Sequence, residues 1–250
     1  MKIYQPIFGM CLTAFLTACG GGGGGTTAPA AAASAAGTSE GFWSGTASSG
    51  VKLNIAILDN GETWGLYTNG GSLAGALYGT STGTGTTFAA SGSDFNFQSW
   101  AVTNGSYSGT VAAKSTINAK TATGATLALS YDSSYDTAAS AAAIAGNYTV
   151  SGISASGSAT SVPLTITLSG LVTTTITGTC TASGTVAPRA GGKNVYNIAM
   201  TFTGTGCALG NGGTASGIFV LDKSVTPAQV IAIALTPSKN DGFFAVGTKL

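Results

Sequence analysis

From Glu40 to the C terminus the dominant spacing of apolar residues is two, and this constrains the fold more than any other feature. In Val51-Lys52-Leu53-Asn54-Ile55-Ala56-Ile57 apolar side chains alternate with small or polar ones, the pattern of a half-buried strand. Asp59-Asn60-Gly61-Glu62 follows, and Asn-Gly is a strong hairpin signal because a type I′ turn needs positive φ at both central residues. A turn centred on Asn60-Gly61 predicts that Ile57 pairs with Trp64 and Ile55 with Leu66, all on one face. The grammar recurs in Tyr196, Ile198, Met200 and Phe202, which share a face. Ile218–Leu221, Val230–Leu235 and Phe243–Val246 are short continuous apolar runs, and Ser238–Gly242 (SKNDG) reads as the last hairpin loop. Thr-rich stretches such as LVTTTITGT suit strands through β-branching. Beyond Glu40, helical spacing is confined to Thr137–Ala145 (TAASAAAIA), which reads as a connector with one turn of helix.

Short strands with turn signals about every 8–12 residues predict an all-β chain, an antiparallel sandwich or barrel. Gly41-Phe42-Trp43 and Gly146-Asn147-Tyr148 each open a run of strands. This faint echo predicts two small β units in series, 40–136 and 146–250, joined by a connector at 137–145. One continuous sandwich is the rival arrangement.

Composition narrows the chemistry. Charged residues make up 7% of the 250 residues while hydrophobic ones make up 44%, so the chain can bury a core and covers its surface with hydroxyls. The net charge is +1 and the basic residues form no run, which argues against a nucleic-acid partner. Histidine is absent, which removes the commonest general base and metal ligand. No catalytic, metal or cofactor site is expected, and the chain reads as a non-enzyme. Gly79–Gly85 (GTSTGTG) lacks the lysine and following helix of a phosphate loop and reads as a turn or bulge. The close acidic pairs, Asp59 with Glu62 and Asp132 with Asp136, read as solvated turn residues; a cleft gathering Asp59, Glu62, Asp94 and Asp132 is what an enzyme would need. The window Phe95–Tyr107 (FNFQSWAVTNGSY) is the richest in aromatics. Trp100 falls out of phase with Phe95 and Phe97, so either the strand ends or bulges nearby or Trp100 is exposed. Trp100 and Tyr107 are the candidate members of a binding patch for a protein or glycan.

The N-terminal segment supplies an address. Met1–Ala18 carries Lys2, a short apolar stretch and small residues before Cys19, the layout of a secretory signal peptide. Leu16-Thr17-Ala18-Cys19 closely resembles the lipobox of bacterial lipoproteins. That resemblance implies acylation of Cys19, cleavage before it, and a stable membrane anchor, each buried CH₂ contributing about 0.8 kcal/mol. Residues 19–39, rich in Gly and Ala, then read as a tether, with an average reach of roughly 25 Å if it behaves as a flexible coil. Gly20 stands where an aspartate favours retention in the inner membrane, so the resemblance implies the outer membrane. With Cys11 in the signal and Cys19 acylated, Cys180 and Cys207 remain as an even pair in an exported domain, and a disulfide is expected. Direct facing requires a turn centred between Lys193 and Asn194, whereas Gly191-Gly192 favours one two residues earlier; a bulge or an asymmetric loop is expected.

Two further resemblances bear on function. The C-terminal half, from GTCTASGTVAPRAGGKNVYNIAMTF through GFFAVGTK, resembles uncharacterised β-rich lipoproteins of proteobacteria and implies no particular activity. Gly41-Phe42-Trp43 resembles the Gly-x-Trp opening strand of lipocalin-like barrels, which implies a tryptophan at the closed end beneath a small-molecule cavity. The sequence therefore predicts an outer-membrane-anchored lipoprotein acting as a binding or interaction module of the envelope, with a lipocalin-like carrier of a small apolar molecule as the alternative. An interior cavity favours the carrier; a filled core with an exposed aromatic patch favours the interaction module.

Overall fold

A computed structural model describes residues 35–223 and 225–250. The signal sequence, Cys19 and most of the stretch read as a tether lie outside the described residues. Sixteen antiparallel strands among the described residues form two closed eight-stranded barrels in series. The first comprises β1 (Gly41–Ala47), β2 (Lys52–Ile57), β3 (Glu62–Asn69), β4 (Ser72–Thr84), β5 (Thr87–Asn96), β6 (Val102–Ala112), β7 (Thr116–Thr121) and β8 (Thr126–Asp132). The second comprises β9 (Gly146–Ser154), β10 (Gly157–Ile166), β11 (Leu171–Thr177), β12 (Cys180–Pro188), β13 (Tyr196–Thr203), β14 (Thr214–Asp222), β15 (Gln229–Leu235) and β16 (Gly242–Lys249). Each is an up-and-down meander in which the first strand also pairs with the last, β1 with β8 and β9 with β16, so no sheet edge is left open. The continuous-sandwich alternative is thereby overturned. Between the barrels lie a 3-10 turn, Ser133–Asp136, and one short helix, α1 (Ala141–Ile144).

The β2–β3 hairpin corrects the predicted register. Ile57 pairs with Thr63, and Ala56 with Trp64. Leu58 and Glu62 close a three-residue loop through Leu58 N–H to Glu62 O at 2.8 Å, with Gly61 at φ +83°. That is a type I turn followed by a left-handed glycine rather than a two-residue I′ turn. The slip of one residue moves Trp64 and Leu66 to the opposite face from Ile55 and Ile57. Ile55 and Ile57 pack inside the first barrel with Trp43, Phe88, Ile117 and Leu129. Trp64 and Leu66 point outward, onto the second barrel.

The outer faces of the two barrels share an apolar cluster. Leu58, Trp64, Leu66, Phe95 and Phe97 of the first pack with Ile218, Ile233, Leu235 and Phe244 of the second. The rings of Phe97 and Phe244 lie 4.8 Å apart. Strands covered on both faces read as unbroken apolar runs, whereas strands with a solvated face alternate, as β13 does along its whole length. Polar contacts fasten the same junction. Arg189 reaches Asp59 at 3.1 Å, and Asp136 accepts from Lys114 at 2.7 Å and Lys193 at 2.8 Å. Hydrogen bonds from those two lysines hold the Asp136 carboxyl well below the usual carboxylate range.

The faint sequence echo corresponds to a structural one. Trp43 and Tyr148 are both buried in the opening strand of their barrel. Each donates to the backbone carbonyl four residues earlier, Trp43 Nε1 to Ser39 O at 2.8 Å and Tyr148 Oη to Ile144 O at 2.5 Å. Gly41 and Gly146, two residues before each aromatic, hold φ of +150° and +142°. The paired residue on the closing strand differs. Tyr131 meets Trp43 edge-on, with centroids 5.3 Å apart, whereas Lys249 lies over Tyr148 at 5.8 Å.

Candidate functional site

Both barrels are closed at the end where the first strand begins. In the second, Ile144 of α1 and Tyr148 are buried there, and Lys249 Nζ donates to Ala143 O at 2.9 Å. In the first, Ala36 and Ser39 are fully buried, and Gly37 bridges Gly83. The last residues of the stretch read as a tether are therefore folded against the barrel.

Toward its other end the second barrel is hollow. A cavity of about 250 Å³ is lined by Ile176, Met200, Phe202, Val230, Ala232 and Phe243, among others. None of its lining residues carries a charge. The space arises from small inward residues in register across three strands: Gly152 pairs with Ala245, and Ala245 with Ala232. Where leucine or isoleucine at such positions fills an eight-stranded barrel, these residues leave room for one small ligand. Exposed Ser156, Ser158, Thr177 and Ala208 also line the cavity, so it reaches the surface at this end.

The disulfide lies at this mouth. Cys180 begins β12, and Cys207 lies in the loop between β13 and β14, with Cα atoms 4.9 Å apart. Thr181 pairs with Thr203, which centres the β12–β13 connection on Gly192, near the Gly-Gly pair. The loop after β13 folds back to bring Cys207 to Cys180, with Gly206 N–H donating to Thr179 O at 3.1 Å. Of the bulge and the asymmetric loop that the spacing allowed, the chain uses the loop.

The first barrel holds a smaller cavity, about 150 Å³, of different character. Ile55, Ile57 and Phe88 line it toward the closed end; Asp94 and Tyr107 lie in its wall. Tyr67 Oη donates to Asp94 Oδ1 at 2.7 Å. Burial raises the Asp94 carboxyl despite that bond, and burial followed by the Asp94 charge raises the Tyr107 phenol.

The candidate patch residues do not share a cluster. Trp100 takes a left-handed conformation, φ +53°, in the β5–β6 loop, where the strand pattern breaks. It is half-buried against Phe97, with centroids 5.2 Å apart, beside the junction of the barrels. Tyr107 faces the interior of the first barrel. The acidic residues are also dispersed. Asp59 and Glu62 hold Arg189, and Asp132 accepts from Ser134 N–H at 2.9 Å. Asp94, near the end of β5, lies at the opposite end of the barrel from all three. Gly79–Gly85 runs along β4 into its turn, with β5 following. Among the described residues no group of three or more Cys, Asp or Glu is placed to hold a metal ion. Sequence reasoning did not find Tyr67, Ala232 or Ala245. The signal for the two alanines was present as small residues at alternate positions within apolar runs.

No protein-family model matches the chain, and no curated protein does. Among solved structures, a protein of unknown function of the DUF3598 family from Nostoc punctiforme is similar over 85% of this chain and 97% of its own, at 8% identity and TM-score 0.32. A Bacteroides fragilis protein, assigned to the outer membrane by name alone, is similar over 84% and 96%, at 14% identity and TM-score 0.26. Likeness at that level carries no argument about this chain.

Proposed function

We propose that the chain is an envelope lipoprotein, anchored through Cys19 in the outer membrane, whose second barrel binds a small, uncharged, apolar molecule. It acts by binding, without a catalytic step and without a nucleic-acid partner. The observation that carries the reading is the cavity of about 250 Å³ with no charged lining residue. That volume lies just below the roughly 300–1,000 Å³ of drug-sized ligand sites, which limits the occupant to a small ring system or a short acyl segment. Burial there follows apolar area, about 25 cal/mol per Å² removed from water. The Leu16–Cys19 lipobox supports the anchor. The opening strand Gly41-Phe42-Trp43 and the closed meander fit the carrier alternative better than a solid interaction module.

The test uses the full chain, purified in detergent, and the fluorescence of N-phenyl-1-naphthylamine. The expected result is saturable enhancement that Ala232→Phe abolishes, because its ring fills the space. Ala245→Leu serves as a second block on the neighbouring strand. Enhancement that is unchanged in both variants would place the dye elsewhere and end the reading. For the anchor, Cys19→Ser should release the protein from the outer-membrane fraction; unchanged fractionation removes that part.

A further inference from the structure

The carboxylate in the first barrel accepts from a tyrosine phenol, as Glu40 does from Tyr135 Oη at 3.0 Å, and it also lines an interior cavity. Asp59, Glu62 and Asp136 meet Arg or Lys side chains, and Asp132 and Asp241 accept from backbone N–H groups. Asp94 receives a hydrogen bond on Oδ1 from the neutral phenol of Tyr67, and among the described residues no Lys or Arg lies within ion-pair distance of it. It is half-buried and lines a cavity whose walls toward the sealed end are Ile55, Ile57 and Phe88. A partly dehydrated carboxylate whose second oxygen accepts from no side chain among the described residues gains most from a cation that brings its own N–H donors. Tyr107 lies in the same wall, and an aromatic ring adds an attraction for the same charge when a cation meets its face.

The order of these groups along the barrel defines the ligand. Asp94 and Thr103, which pair across β5 and β6, lie toward the open end. Phe88 lies toward the end sealed by Ala36 and Trp43. A ligand with a charged head at the mouth and an apolar stem below satisfies both regions, and a cavity of about 150 Å³ keeps the stem short. We propose that the first barrel binds a small organic cation, an ammonium group on a short apolar stem, with the ammonium against Asp94 and the stem among Ile55, Ile57 and Phe88. The two barrels then share one topology but select opposite ligand chemistry. This site is separate from the uncharged cavity of the second barrel, and either proposal can fail while the other stands.

The experiment titrates n-butylammonium into the full-length chain in detergent while following the ring resonances of ¹³C-labelled tyrosine. The expected result is a saturable shift of the Tyr67 and Tyr107 signals. 1-Butanol, with the same stem and no charge, should bind about tenfold or more weakly, the scale of one charge-assisted hydrogen bond. Butyrate should not bind. Asp94→Asn should weaken butylammonium by a similar factor and leave 1-butanol unaffected, with circular dichroism reporting the fold. Absence of a saturable shift overturns the proposal, as does equal binding of butylammonium and butanol or unchanged binding by Asp94→Asn. If that variant does not fold, the three-ligand comparison on the wild-type chain decides alone.

Discussion

At the scale of single residues, two tryptophans of similar burial make opposite contributions. Trp43 and Trp64 are 1% and 5% exposed. The Trp43 indole N–H reaches Ser39 O at 2.8 Å and so fastens the segment that seals the first barrel. The Trp64 indole N–H is buried and finds no acceptor among the described residues, although its ring packs 4.5 Å from that of Tyr78. A buried polar group left unpaired costs about 1–3 kcal/mol. Trp64→Phe removes that cost along with some contact area, so its net effect on stability is expected to stay within about 1 kcal/mol. Trp43→Phe instead leaves a carbonyl unpaired and a gap beneath it, and should cost about 2–4 kcal/mol. Urea denaturation of the two variants checks the ordering, and equal losses would contradict it. Asp94 was visible in the sequence only as one of four acids that a catalytic cleft would have to gather, and its partner Tyr67 was not, because the two are 27 positions apart and meet only once β3, β4 and β5 pair in order.

At the scale of elements, alternation revealed strands and turns more fully than it revealed faces. The all-β class, the paired units, the SKNDG loop and the connector with its short helix were legible because turn chemistry and a period of two are local properties. The β2–β3 register was not. A turn centred on Asn60-Gly61 and one centred on Asn60 differ by one residue, and both satisfy the dipeptide preference. The choice falls to the three-residue loop because Trp64 and Leu66 are buried on the outside of the barrel, against a partner that the local sequence does not announce. The apolar runs Ile218–Leu221 and Val230–Leu235 carried that information, since a strand covered on both faces loses its alternation. Gly61 is the residue on which this loop depends. Its φ is +83°, and a Cβ there would lie 3.0 Å from the Ser81 carbonyl oxygen. Gly61→Ala should therefore cost about 1–2 kcal/mol from the left-handed backbone alone, read as a lowered urea midpoint with unchanged slope. A neutral outcome would mean that the turn relaxes into another type.

At the scale of the whole molecule, the junction between the barrels determines whether they behave as one body. A barrel needs no partner to satisfy its backbone, since closure pairs every strand. Leu58, just after β2, and Trp64, Ile218, Ile233 and Phe244, on the outer surfaces of β3, β14, β15 and β16, nevertheless meet at the junction, side chains whose full burial contributes about 1.5–3 kcal/mol each. Either barrel alone would expose half of this cluster to water. Arg189 with Asp59 and Lys193 with Asp136 fix the orientation but add little energy, since ion pairs this exposed contribute about 0–1 kcal/mol. The apolar contact therefore governs the coupling, and the two barrels are expected to unfold in a single calorimetric transition. Phe244, 1% exposed and in contact with both Phe95 and Phe97, is the point at which to break it. Phe244→Ala should cost about 3–5 kcal/mol and split the transition in two. The loss comes from a side chain on the outer face of β16, so each barrel keeps its own interior and melts on its own. If the wild-type chain already shows two transitions, the junction is a contact between independent domains. If the variant melts lower but still in one step, the cluster couples the barrels through its remaining members.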